Sequence, residues 1–379
     1  MTALKKARLA GAGVATVDAG ELLRALKTCQ RAIPKKVTVP ALGLVRIEAV
    51  DGKLQLRGGA LDIHVEAEIP AKAVKPFAGL VNGRLWVALL ANVPKAAQVE
   101  VRRLDGAVHL KVAGGLEAST KSEDPGDYLV KVQFQPGTRA EFCGSEFRKA
   151  LPRLFMASAP DDARPVLTGV HYRPDSNEWA AADGFRLTVL KMAPLEGSLG
   201  EGELIFPPAF LSAAGLVQND DAVAIEINAG RTHFRVFVDG ATYTGTLIHG
   251  TYPNYVQLIP SEWTTRVTFG RDAFREALRP AAVIAADGGG IIRVEAAPET
   301  GVSLAGRADE IGEVRSPLAA LIEGEPNKIA FNAHYLKQLA LQFDGDFTLA
   351  WSSPSAQAVA HPMGSTALTH VLMPMFVQW

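Results

Sequence analysis

Asp161 and Asp162 are adjacent carboxylates of the kind that general acid and base chemistry uses, but they follow Pro160 in a stretch that reads as a loop. A solvated turn accounts for them as well. The eight histidines are scattered through the chain, with no His-Glu-x-x-His and no paired spacing that would hold a metal. Gly11-Ala-Gly13 lacks the third glycine and the preceding strand of a dinucleotide fingerprint, and Gly288-Gly-Gly290 lacks the lysine and hydroxyl residue of a phosphate loop, so both read as turns. No Gly-x-Ser-x-Gly elbow occurs, and neither cysteine, Cys29 or Cys143, has the near neighbour that a zinc or redox motif needs. These residues supply no catalytic constellation and imply no cofactor or metal. They point to a binding or architectural role.

What stands out is the placement of basic residues. Arg271, Arg275 and Arg279 recur at i, i+4 and i+8 of one helical stretch, Arg24, Lys27 and Arg31 share one face of another, and a third offers Arg148, Lys149 and Arg153. One such stripe is ordinarily a solvated helix face. Three equivalent stripes in a chain of net charge −1, with 39 basic and 40 acidic residues, suggest local surfaces suited to phosphates rather than a generally basic protein.

The elements carrying these stripes are copies of one another. Arg139-Ala-Glu-Phe142-Cys-Gly-Ser-Glu-Phe147-Arg148-Lys149-Ala150-Leu151 returns 127 residues later as Arg266-Val-Thr-Phe269-Gly-Arg-Asp-Ala-Phe274-Arg275-Glu276-Ala277-Leu278. A worn copy with the same apolar, x, x, Ala, Leu spacing sits at Val17-Asp18-Ala19-Gly20-Glu21-Leu22-Leu23-Arg24-Ala25-Leu26. Each copy reads as a strand, a cap and a helix start. A third of 379 residues is about 126, so the period spans the whole length, and such a period decides the fold before any motif does. The expected repeats are residues 1–135, 136–260 and 261–379, each holding two helices packed on antiparallel sheets, an α+β architecture. Alternating segments such as Ile63-His-Val-Glu-Ala-Glu-Ile69 predict half-buried antiparallel strands, and each repeat is expected to hold two β-α-β-β-β halves. Helices are predicted near residues 20–33, 85–93, 145–158 (kinked or tightened at Pro152), after Pro207-Pro208, 272–286 (interrupted at Pro280) and 333–343, with a closing strand that includes Ala367 to Met375. Ser122-Glu-Asp-Pro125-Gly-Asp-Tyr128 and Gly250-Thr-Tyr-Pro253-Asn-Tyr255 punctuate the first two repeats.

The hydrophobic fraction of 48% and charged fraction of 21% suit a soluble globular protein. No apolar run approaches the roughly 20 residues that span a bilayer, and Met1-Thr-Ala-Leu-Lys-Lys lacks a signal-peptide core. A cytoplasmic protein without a membrane partner is expected.

Arg164-Pro-Val-Leu167-Thr-Gly-Val, Ala181-Ala-Asp183-Gly184-Phe185-Arg186-Leu187, Gly250-Thr-Tyr-Pro253-Asn-Tyr-Val-Gln-Leu-Ile-Pro260 and Val371-Leu-Met373-Pro374-Met375 together resemble the bacterial DNA polymerase III sliding clamp, the beta subunit. The likeness runs through the whole chain in order. It implies a DNA clamp fold assembled into a closed ring, a head-to-tail homodimer around double-stranded DNA held without sequence preference. It further implies no enzymatic activity and, as partners, the DNA polymerase III catalytic subunit, a clamp loader and other proteins with clamp-binding motifs. A clamp-fold paralogue that binds partner peptides without encircling DNA is the alternative.

By family position, a peptide-binding pocket falls on Leu167, Ala182, Gly184, Phe185, Arg186, Leu187, Pro253, Leu258, Val371, Leu372, Met373, Pro374 and Met375. The expected DNA contacts are Arg24, Lys27, Lys35, Lys36, Arg148, Lys149, Arg153, Arg164, Arg271, Arg275 and Arg279. Leu116, Val283 and Ile284 are expected at or near the dimer contact, although core burial suits each of them as well. Phe185 stands where the family commonly has histidine and Phe376 where arginine often follows Met-Pro-Met, and the tail runs on through Val377-Gln378-Trp379; these departures bear on partner specificity.

Overall fold

A computed structural model describes residues 13–33, 39–60, 63–128, 133–210, 222–238 and 240–379. The repeated motif forms as its spacing requires. Strand Gly13–Asp18 leads into helix α1 (Ala19–Ala32), where Asp18 Oδ1 accepts from the amide of Gly20 at 2.9 Å and caps the first turn. Further along the chain lie helices α2 (Gly83–Leu90), α3 (Gly144–Ala157), α4 (Pro165–Thr168), α5 (Arg271–Asp287) and α6 (Ala333–Gln342). The paired apolar residues of the motif, Val17 with Leu22, Phe142 with Phe147 and Phe269 with Phe274, are all buried. Phe269 and Phe274 stack at 5.0 Å, and Phe347 meets the first edge-on at 4.6 Å. At Gly306 a Cβ would lie 1.9 Å from the carbonyl of Ala281, so only glycine lets α5 settle directly on strand Gly301–Ala308.

The chain forms two compact units, Met1–Arg148 with Pro194–Gly200 and Ala209–Leu247, and Lys149–Ala193 with Glu201–Pro208 and Ile248–Trp379. Among the described residues each unit has one nine-stranded sheet and one smaller sheet. In the first unit, strand Ala241–Thr246 of the second repeat pairs antiparallel with Ile63–Pro70 of the first, Tyr243 opposite Val65. In the second unit, Arg186–Lys191 of the second repeat pairs antiparallel with Leu368–Leu372 of the third, Leu187 opposite Val371. Repeats therefore join by sharing a sheet. The five-stranded sheet of the first unit ends on Glu117–Lys121 and the four-stranded sheet of the second ends on Gly312–Leu318 and Asn327–Asn332.

Several expectations need correction. The strand that closes the third repeat stops at Leu372, because Pro374 has no N–H for a ladder and the amide of Met375 turns to the carbonyl of Ala330 at 2.7 Å. Helix α5 runs without interruption through Pro280, which is exposed. Helix α2 begins at Gly83 rather than Leu85, because Asn82 caps it through the amide of Leu85 at 3.1 Å. Short strands Lys72–Lys75 and Leu321–Gly324 add to the expected halves. After Pro207 a single 3-10 turn, Pro208–Phe210, is seen, and the rest of the helix expected there lies outside the described residues. Cys29 is wholly buried and Cys143 half-buried, both as free thiols.

Candidate peptide-binding site and basic helix faces

In the second unit, Asp183-Gly184-Phe185-Arg186 makes a tight turn for which Gly184 takes φ of 95°. Asp183 Oδ1 accepts from the amides of Phe185 at 2.9 Å and Arg186 at 3.0 Å, while Oδ2 accepts from Arg186 Nε at 2.9 Å. The Arg186 guanidinium also donates to Gln338 and lies 4.7 Å over the Tyr335 ring. Arg186 is thus a buried brace between the turn and α6, fully engaged by its own chain. Beyond the turn, Arg186 faces Leu372 and Leu187 faces Val371 across the ladder, and the carbonyl of Phe185 accepts from the amide of Met373 at 2.8 Å. The turn and the C-terminal segment are locked together by backbone.

Beneath them, Leu167, Leu187 and Val371 share one buried cluster with Tyr252 and Tyr255, and Ala182 packs against it. Tyr252 Oη accepts from the amide of Ala182 at 3.0 Å, and its ring stacks on His171 at 4.5 Å. Burial pushes the Tyr252 hydroxyl up and that of Tyr255 up to about 12, so both stay neutral. Above the cluster the side chains turn outward: Phe185 is 60% exposed, Leu258 47% and Met373 43%, with Pro253 exposed and Pro374 and Met375 half-buried. Phe185 is 6.4 Å from Tyr335, ring to ring. The buried cluster, with the outward apolar side chains of the segments around it, is the candidate apolar site.

Of the expected pocket residues, Leu167, Ala182, Leu187 and Val371 meet in one cluster, and Arg186, Leu372, Gly184, Phe185 and Met373 belong to the turn and ladder over it. Pro253 adjoins Tyr252, and Leu258 adjoins Ile259, which packs on the same cluster. Sequence reasoning missed Tyr252, Tyr255, Tyr335, Gln338 and His370. The first two flank Pro253 in a motif already singled out and were legible there. Tyr335 and Gln338 lie some 150 residues from the turn they brace, and no local signal finds them.

The basic residues are more varied than their spacing suggests. Arg24 and Lys27 are exposed or half-exposed on α1, with Arg24 3.7 Å from Glu21. On α3, Arg148 and Lys149 are exposed, whereas Arg153 donates to Asp344 at 2.7 Å and that hydrogen bond holds the Asp344 carboxyl below its ordinary range. On α5, Arg271 donates to Asp272 at 3.1 Å and Arg275 lies 3.9 Å from the same carboxylate, while Arg279 is exposed. Arg164 is exposed just before α4; Lys35 and Lys36 lie outside the described residues. Val283, 68% exposed, is a surface residue, and Leu116 and Ile284 are half-buried.

Family models for the DNA polymerase III beta subunit match the chain in three consecutive parts: the N-terminal domain over residues 15–128, the central domain over 142–254 and the C-terminal domain over 256–376. The chain belongs to the bacterial DNA polymerase III beta-subunit family. Its function is that of a DNA sliding clamp in replication. A beta sliding clamp of Synechococcus elongatus is 29% identical over 368 residues, covering 94% of this chain and 97% of that relative. One from Staphylococcus aureus is 23% identical over 95% of this chain and 98% of that relative. The solved DNA polymerase sliding clamp of Bacillus subtilis, 19% identical, superposes with a TM-score of 0.88 over 97% of this chain and 100% of that one, which establishes the clamp fold. Among the described residues no helix is long and apolar enough to cross a membrane, and no group of three or more His, Cys, Asp or Glu could hold a metal ion.

Proposed function

We propose that two copies of the chain close head to tail into a ring around duplex DNA, and that the apolar patch tethers the polymerase III catalytic subunit, the clamp loader and other proteins bearing clamp-binding motifs. The protein is not an enzyme on this reading, works in the cytoplasm, and divides functionally into residues 1–135, 136–260 and 261–379.

One observation carries the ring. In both joints within the chain, the last strand of a repeat pairs with the strand that ends the first half of the repeat before it: Ala241–Thr246 with Ile63–Pro70, and Leu368–Leu372 with Arg186–Lys191. The same rule leaves two strands that each have a neighbour on one side only among the described residues. These are Glu117–Lys121, the last of repeat one, and Gly312–Leu318, the corresponding strand of repeat three. Bare edges invite pairing, and a contact between unlike surfaces that closes removes both. Laid antiparallel with Glu117 opposite Arg315, the two edges bring one pair of opposite charges face to face. Leu116 adjoins the first edge, and Val283 and Ile284 lie on α5 of the repeat that carries the second.

Arg24, Lys27, Lys35, Lys36, Arg148, Lys149, Arg153, Arg164, Arg271, Arg275 and Arg279 would then contact phosphates without reading bases, each neutralised phosphate adding about 0.9 to the log-log salt slope. Because a ring must slide, direct affinity is weak and retention is topological. The test loads the protein onto nicked circular DNA with a bacterial clamp loader and ATP, then linearises the DNA. Release on linearisation is expected. Retention on linear DNA would contradict encirclement and leave a peptide-binding protein of clamp fold.

A further inference from the structure

Each repeat closes with a segment that crosses the outer strand of its own second sheet at one recurring position. The amide of Leu80 donates to Ser122 Oγ at 3.0 Å, that of Ile248 to the carbonyl of Ile205 at 2.9 Å, and that of Met375 to the carbonyl of Ala330 at 2.7 Å. Leu80, Ile205 and Ala330 follow one another at 125-residue steps, on the edge strands Phe77–Val81, Leu204–Phe206 and Asn327–Asn332. In the first two repeats the segment runs on into the next repeat and is anchored by a buried tyrosine, Tyr128 or Tyr255. In the third, Met373-Pro374-Met375 is held by the amides of Met373 and Met375.

Beyond Met375 the tail has two anchors of its own. Arg293 donates to the carbonyl of Gln378 at 3.5 Å, and Lys328 Nζ lies 4.7 Å over the Trp379 ring. Arg293 and Lys328 sit on neighbouring strands of the same sheet, with Arg293 opposite Ala330. Between Met375 and these anchors, Phe376 is 92% exposed and adds little packing. Residues Val377–Trp379 lie outside the part matched by the family model.

We propose that Trp379 is a latch. Pinned by Lys328, with Arg293 holding the carbonyl of Gln378, it holds the segment after Leu372 in place and so fixes the wall of the apolar site formed by Met373 and Met375. The three are positioning residues that do not touch the partner peptide, and the proposal rests on the peptide-site reading above. Loosening the latch lowers affinity by raising the ordering cost of binding, with little effect on the fold.

The test measures binding of a fluorescent extended peptide with spaced Leu and Phe anchors, together with thermal melting. The variants are a chain ending at Phe376, full-length Lys328→Met, full-length Trp379→Phe, and Met373→Ala with Met375→Ala. The shortened chain and Lys328→Met should bind about three- to tenfold more weakly and melt within about 2 °C of the parent, while Trp379→Phe, which keeps an aromatic face, stays within about twofold. Undiminished affinity in the shortened chain and in Lys328→Met, alongside loss in the double methionine variant, overturns the latch alone. Affinity indifferent to the methionines overturns the peptide site and the latch with it.

Discussion

The two joints within the chain place a histidine and a threonine face to face, in opposite order. Where repeats one and two meet, His64 on the earlier repeat faces Thr244 on the later; where repeats two and three meet, Thr188 on the earlier faces His370 on the later. In the second joint Thr188 Oγ1 and His370 Nδ1 are 2.8 Å apart, both side chains wholly buried. Burial lowers both imidazoles, His370 to about 3 with a further push from Arg186. At the second joint several outward apolar side chains stand beside the seam. Next to the first joint, Leu42, Leu80 and Tyr128 close over a small buried cluster with Ala41, whereas next to the second Phe185, Met373 and Leu258 stay exposed over a larger one. A shared sheet is enough to join two repeats. The exposed rim at one joint is therefore an addition that joining does not require, which is why we assign it to partners.

Leu187→Ala tests the shared part of this comparison and should have the largest effect. It removes a buried side chain from both ladder and cluster, so a loss of about 3 kcal/mol in denaturant unfolding is expected. A loss under about 1 kcal/mol would mean that the seam does not hold the second joint together.

Acid should separate the two joints next. The folded value of His370 lies below its ordinary 6.5, so as pH falls the unfolded chain takes up the proton first. Stability from this residue is complete above about pH 6.5 and is lost progressively toward pH 3, by about 2 kcal/mol at pH 5. His64 adds a loss of the same sign. Unfolding followed from pH 8 to pH 5 should show a slope that is reduced in His370→Gln and less so in His64→Gln. Equal slopes in the parent and His370→Gln would count against a neutral, buried imidazole.

The smallest effect is expected at the Asp183-Gly184-Phe185-Arg186 turn beside the second joint. Gly184→Ala places a Cβ at φ of 95° with no close neighbour but the Arg164 guanidinium at 3.5 Å, so about 1 kcal/mol of strain is expected in melting experiments. No change would show that the turn relaxes freely.

Much of this was legible in the sequence because it is periodic. The repeated phenylalanines located the core and the alternating segments located the strands, whereas the closing strand was read past Pro374 and in fact stops at Leu372. The sheet that crosses each repeat boundary was not legible, since strands such as Ile63–Pro70 and Ala241–Thr246 pair across about 180 residues and nothing local names the partner. For the same reason the division of the second repeat between two units could not be foreseen. The basic stripes were read from spacing alone, which cannot show that Asp272 and Asp344 already engage Arg271 and Arg153. Family likeness pointed to the turn and the C-terminal segment, but the bracing of Arg186 by Tyr335 and Gln338 appears only when α6 is folded beside the turn.

The rule drawn from the two internal joints predicts a third, between Glu117–Lys121 of one copy and Gly312–Leu318 of another. Sedimentation equilibrium at micromolar concentration tests it most directly. Twice the chain mass is expected for the parent, with a shift toward the single-chain mass for Ile284→Asp with its fold intact; a parent that sediments as one chain would rule out the head-to-tail ring.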